Sequence, residues 1–195
     1  MHIQQKLTLI QNCGKMLFDE TAIQKSILTM ANQINQDLKG ETIILLCILN
    51  GGLYTAYPLS RALKIHHQLE CIKASRYQNN TSGAAPIIEH STINFQNKTV
   101  LLVDDCIDQG VTLQAISQHC QDQGASKVLT AVLLNKTHLR PKNVPSPNYY
   151  SLISDTQHFV YGHGLDIHGY LRNLPNIFSI PGPMVHKIMS PATKT

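Results

Sequence analysis

The apolar positions of the chain alternate between two kinds of pattern. Ile23, Ile27, Met30, Ile34 and Leu38 lie 4, 3, 4 and 4 residues apart, one face of a helix that packs on a core. Gly40 follows where a C-terminal cap belongs. Residues 42–49, TIILLCIL, are continuously apolar, as a strand covered on both faces requires. Asn50-Gly51-Gly52 then turns into a second helical pattern, Leu53, Ala56, Leu59 and Leu63. Residues 69–75 read as the next strand, and the polar stretch 76–90 as a long mobile loop. A strand over 99–103, a helix over 112–123 stopped by Gly124, and a strand over 127–134 come next. A Pro-rich connector, 141–147, leads to short strands at 149–153 and 158–161, then to a loop-rich stretch, 162–175. The tail from Pro181 carries three prolines and reads as extended or poorly ordered. Strands alternating with helices predict an α/β fold with a mostly parallel sheet covered on both faces. Such sheets bind ligands at the carboxyl ends of their strands. The Gly51-Gly52 turn, the acidic stretch after residue 103 and Lys136 all fall at such ends.

Residues 98–113, KTVLLVDDCIDQGVTL, carry the most chemistry. The apolar run Val100–Val103 ends in two adjacent carboxylates, Asp104 and Asp105; Asp108, Gln109, Gly110, Val111 and Thr112 follow. Gly110 permits a tight backbone. Thr112 is placed to cap the new helix, whose free amides and dipole favour an anion. The acids suit ribose hydroxyls and the amides suit a phosphate on that ribose.

Composition narrows the class. With 195 residues and 43% apolar content the chain can bury one core, or one core plus a small subdomain. A net charge of +4 from scattered basic residues suits a polyphosphate substrate and lacks the basic block of a nucleic-acid tail. No apolar run reaches membrane-spanning length, and no signal-peptide core is present. The five cysteines, Cys13, Cys47, Cys71, Cys106 and Cys120, contain no CxxC and read as thiols in a reducing compartment. A cytoplasmic protein that binds neither nucleic acid nor membrane is expected.

The 98–113 string resembles the phosphoribosyl-pyrophosphate (PRPP) motif of type I phosphoribosyltransferases. Three further segments resemble the hypoxanthine-guanine (6-oxopurine) branch of that family: LCILNGGL at 46–53 its pyrophosphate loop, LLNK at 133–136 its purine-contacting strand, and FVYGHGLDIHGYLRNLP at 159–175 its C-terminal hood. The resemblance implies one domain over 1–180, with a hood built from about 158–180 and the N-terminus, and a tail over 181–195. It implies transfer of a phosphoribosyl group from PRPP to N9 of hypoxanthine or guanine, giving IMP or GMP and pyrophosphate, with Mg²⁺ as cofactor. It also implies a homo-oligomer, dimer or tetramer.

Carried over residue by residue, Asp108 matches the general base at purine N7, and a phosphate beside it favours proton acceptance. Asp104 and Asp105 match the ribose- and magnesium-binding pair; the family often has Glu at the first position. Asp108 to Thr112 match the 5′-phosphate cradle. Asn50, Gly51, Gly52 and Arg172 match the pyrophosphate site. Lys136, Phe159, Val160 and Asp166 match the purine side, Asp166 also being a magnesium ligand. The family's loop also implies a cis Leu49–Asn50 peptide. Two positions depart from the pattern. Asn50 stands where Lys or Arg is usual, and Arg76-Tyr77 where the mobile loop usually opens with Ser-Tyr; Arg76 either supplies the charge that Asn50 lacks or is only a loop residue. His163 and His168, beside Asp166, fit no zinc spacing and read as surface histidines. No G-x-G-x-x-G or G-x-x-x-x-G-K-[ST] occurs, which removes the dinucleotide and P-loop classes. The rival of another class is a PRPP-sensing regulator on the same fold.

Overall fold

The computed structural model describes residues 1–75, 87–88, 93–138, 140–141 and 144–190. In chain order these form α1 (Ile3–Cys13), β1 (Lys15–Phe18), α2 (Glu20–Asp37), β2 (Thr42–Leu49), α3 (Leu53–Ala62), β3 (His66–Ser75) and β4 (Ile87–Ile88). There follow β5 (Thr99–Ile107), α4 (Val111–Asp122), β6 (Lys127–Lys136), β7 (Tyr149–Ser154), β8 (Phe159–Tyr161), β9 (Ile177–Ile180) and α5 (Gly182–Met189). The main sheet has the order β4-β3-β2-β5-β6-β7. Its five strands from β3 to β7 are parallel, and β4 is an antiparallel edge.

Both faces of the sheet are covered, as the unbroken apolar strands require. The apolar stripe of α2 (Ile23, Ile27, Met30 and Ile34) packs with α3 residues Ala56 and Leu59 on one face, against Leu45, Leu101 and Val103. Leu113, Ile116 and Cys120 of α4 cover the other face, against Ile44, Leu46, Val100 and Leu102. Each fully buried aliphatic side chain of this kind contributes roughly 1.5–3 kcal/mol. Asp19 starts α2 by accepting the Ala22 N–H at 2.8 Å, and Leu38, buried at its end, donates its N–H to the Ile34 carbonyl. A second, three-stranded antiparallel sheet, β1-β9-β8, joins the N-terminus to the C-terminal part of the chain. Its own small core is Ile10 of α1, Tyr161, Ile167, Ile180 and Val185.

Several expectations change. β5 does not stop at Val103. It runs through both aspartates to Ile107, because Asp104, Cys106 and Ile107 keep their register with Val132, Leu134 and Asn135 of β6. Thr112 is not the cap of α4. Gly110, left-handed at φ +75°, is the cap, so the helix opens one residue earlier, at Val111. The tail is not extended over 182–189: it is α5, with prolines only before and in its first turn, where no amide hydrogen is needed. Val185 buries one face of it. Residues 76–90 are not one unbroken loop either, since Ile87–Ile88 pairs with Ser75 and Ala74. The rest of that stretch, including Arg76 and Tyr77, lies outside the described residues. β3 and β6 are longer than their apolar runs, because parallel pairing continues past the apolar positions.

Candidate active site

The carboxyl ends of β5 and β6, the start of α4 and the start of β8 line one cavity of about 420 Å³. Its wall includes Asp104, Asp105, Asp108, Gln109, Gly110, Thr112, Lys136, Phe159, Val160 and Asp166, ten of the residues expected from sequence. Val111 opens α4 beside it. Gly51 and Arg172 join through Asp105. A Cβ on Gly51 would overlap the Asp105 carboxylate and come within 3.1 Å of Arg172 Nη1. A Cβ on Gly52 would press on the Val103 carbonyl at 2.6 Å. Glycine at both positions is therefore what lets the turn after β2 lie directly against the acidic end of β5. The Leu49–Asn50 peptide is cis, as expected. Asn50 itself is exposed at the turn.

Strand pleat places Asp104 and Asp105 on opposite sides of β5. Asp104, 9% exposed, turns its Oδ1 back to accept the Asp105 N–H at 2.8 Å. Burial, then repulsion from Asp105, pushes the Asp104 carboxyl well above the usual carboxylate range. Burial raises Asp105 to about 6, against the pull of its hydrogen bond with Asp104 and of Arg172. Arg172 bridges two acids, with Nη2 at 2.6 Å from Asp166 and Nη1 at 3.5 Å from Asp105, and also donates to the Gly164 carbonyl. Among the described residues no three His, Cys, Asp or Glu side chains converge as a metal cage. One or two carboxylates drawn from Asp104, Asp105 and Asp166, completed by phosphate oxygens of a ligand, would suit Mg²⁺.

Across the cavity, Lys136 is 6% exposed at the last position of β6. Its ammonium lies 3.3 Å from the His158 carbonyl and 3.5 Å from Asp108 Oδ2. An ammonium has three donors, so one direction remains for a ligand acceptor. Asp108 Oδ1 is buried and without a partner among the described residues. A buried unpaired oxygen costs free energy until a donor arrives. Phe159 keeps 45% of its surface open at the cavity and meets His186 of α5 edge-on, at 6.0 Å between ring centroids. It is therefore no core aromatic.

The wall also contains Cys106, Leu113, Gln157, His158 and Leu165, which sequence reading did not single out. His158 acts through its carbonyl, and a main-chain role leaves no side-chain signal in sequence. Burial and Asp105 push the Cys106 thiol upward, so it stays protonated. His163 is not a surface histidine: it is half-buried and edge-on to Tyr54, with centroids 6.2 Å apart. His168 is exposed, as expected.

The sequence and the fold are similar to those of other proteins. A hypoxanthine-guanine phosphoribosyltransferase of Staphylococcus epidermidis is 27% identical over 173 residues, covering 88% of this chain and 96% of that one. The crystal structure of a hypoxanthine-guanine phosphoribosyltransferase from Bacillus anthracis superimposes with a TM-score of 0.79 at 29% identity, covering 85% of this chain and 98% of that one. A hypoxanthine phosphoribosyltransferase from Staphylococcus aureus, at 24% identity and a TM-score of 0.83, shares the fold over 94% of this chain. The sequence model of the phosphoribosyl transferase domain matches residues 14–168, and the chain belongs to that family.

Proposed function

We propose that the protein transfers the phosphoribosyl group of PRPP to N9 of hypoxanthine or guanine, releasing pyrophosphate and the nucleotide. One observation carries the base side: a buried, unpartnered carboxylate oxygen of Asp108 beside a buried lysine with a donor to spare. A 6-oxopurine presents a carbonyl oxygen and, at N7, a proton on one edge, which complements that pair.

The reaction breaks the bond between the ribose anomeric carbon and pyrophosphate and forms one to purine N9. Asp108 takes the N7 proton, and Lys136 donates to O6. Phe159 stacks on the base, and the Val160 main chain meets its edge. The amides from Asp108 to Thr112, at the start of α4, hold the 5′-phosphate. Asp104 and Asp105 hold the ribose hydroxyls. Gly51, Gly52 and Arg172 hold the pyrophosphate, Arg172 exchanging part of its contact with Asp105 and Asp166 for phosphate oxygens. Carboxylates drawn from Asp104, Asp105 and Asp166 would hold Mg²⁺ together with PRPP, and the ion would supply positive charge to the leaving pyrophosphate.

The likeness to the Staphylococcus and Bacillus proteins supports this reading over a PRPP-sensing regulator. A sensor would not need Asp108 and Lys136 poised together. Free cysteines fit a reducing, cytoplasmic setting, and a homo-oligomer is expected from the family. Incubation with PRPP, Mg²⁺ and each of hypoxanthine, guanine, xanthine and adenine tests the proposal. Nucleotide from hypoxanthine or guanine is expected, with adenine inert; no nucleotide from any base would leave the regulator.

A further inference from the structure

Lys136 can read a purine only if its backbone is fixed, because four rotatable bonds separate its charge from Cα. At its end β6 holds that backbone from one side only. The register with β5 ends at Asn135↔Ile107, and Lys136 pairs only with Ser154 of β7. What closes the end is Arg140, four residues on. Its Nη2 donates to the Lys136 carbonyl at 3.0 Å and to Oδ1 of Asn135, a side chain 3% exposed. Its Nη1 reaches Ser146 Oγ at 3.4 Å, in the connector between β6 and β7. That connector touches the phosphate cradle, since a Cβ on Gly110 would run into Val144.

Among the described residues Arg140 meets no carboxylate, and its buried Nε has no partner. A guanidinium held by neutral acceptors, with one donor unsatisfied, is a poor stability device. It is a good geometric one, because the planar fork fixes two acceptors in one plane. We propose that Arg140 is a positioning residue for base recognition: by pinning Asn135 and the Lys136 carbonyl it aims the Lys136 ammonium at the purine 6-oxo group. The proposal rests on the transferase reading above. It reaches beyond it by assigning specificity to a residue outside the cavity wall.

The test compares wild type, Arg140→Met, Arg140→Lys and Lys136→Met, with Arg140→Met also built into Lys136→Met. Misplacing a contact by about 1 Å costs up to about 100-fold. Hypoxanthine kcat/KM is therefore expected to fall about 10- to 100-fold in Arg140→Met, with PRPP KM within about twofold of wild type. Arg140→Lys is expected to restore little, because one ammonium does not reproduce the fork. In the Lys136→Met background Arg140→Met is expected to add almost nothing, since the group it aims is gone. Equal losses toward PRPP and hypoxanthine, full multiplication of the two single effects, or unchanged kinetics would each overturn the inference. If Arg140→Met fails to fold, Arg140→Lys and Ser146→Ala carry the same comparison. A wild-type protein inert toward hypoxanthine would strike the transferase reading; an active wild type with indifferent Arg140 variants would strike only this inference.

Discussion

Asp108 and Lys136 face one another at 3.5 Å, yet the proposed reaction gives them opposite tasks, one to accept a proton and one to donate a hydrogen bond. Their separate replacement tells those tasks apart. Asp108→Asn keeps the shape and removes the proton acceptor. Turnover is expected to fall ~10²–10⁴-fold while PRPP binding is largely kept. Steady-state kinetics with a parallel PRPP titration measures both, and near-wild-type turnover would remove Asp108 from the mechanism. Lys136→Met removes the donor to O6 and should sharply lower use of hypoxanthine and guanine while PRPP affinity changes little. A Lys136→Met enzyme with unimpaired hypoxanthine kinetics would make the lysine a mere strand terminus. That the acids, glycines and lysine would gather at one place could be anticipated, because they fall at strand ends and in strings that resemble the family's motifs. His158, Asn135 and Arg140 could not be. His158 and the Lys136 carbonyl act through the main chain, and Arg140 reaches its acceptors across a connector whose path only the fold decides.

At the scale of elements, α2, β2 and β5 could be read from periodicity because each buries a full stripe or run, whereas α3 buries Ala56 and Leu59 of its expected helical stripe and leaves Leu53 48% exposed. α1, β1 and α5 could not. α1 buries only Ile10, and the apolar face of the eight-residue α5, Val185 with Ile188 and Met189 packed beside it, is masked in sequence by the prolines at its start. Their stability comes from meeting one another in the small core around Tyr161, whose hydroxyl donates to the Ile10 carbonyl at 3.1 Å. That dependence is testable. Ile10 is fully buried, and an Ile→Ala change in such a place costs about 2–5 kcal/mol. Ile10→Ala should lower the denaturant midpoint accordingly with an unchanged slope. Phe159 and Val160 sit on β8, paired with β9 in the same small sheet. Loss of Ile10 should therefore also weaken base binding more than PRPP binding. A midpoint equal to that of wild type would show that the N-terminal helix is not anchored to the hood through this residue.

Across the whole molecule, two half-buried groups pull the pH dependence of stability in opposite directions. Asp105 titrates near 6 in the folded chain against a usual 3.8, because burial opposes its charge. Between those values the folded chain binds a proton that the unfolded chain does not, so Asp105 makes the protein less stable as pH rises through that window. His163 does the reverse. Burial lowers its pKa below the usual 6.5, and the Pro175 and Tyr54 carbonyls and the Glu20 carboxylate only partly offset that. Below about pH 6.5 the unfolded chain takes up a proton that folded His163 refuses, so its contribution is present at higher pH and is lost on acidification. The two windows overlap, and a single melting profile would mix them. Comparison of wild type with His163→Gln cancels the aspartates, which both proteins share. The difference in melting temperature between pH 7.5 and pH 5.5 is expected to be shifted toward acid stability in His163→Gln. Parallel profiles for the two proteins would show that His163 titrates alike in the folded and unfolded chains, and that its burial against Tyr54 does not hold it neutral.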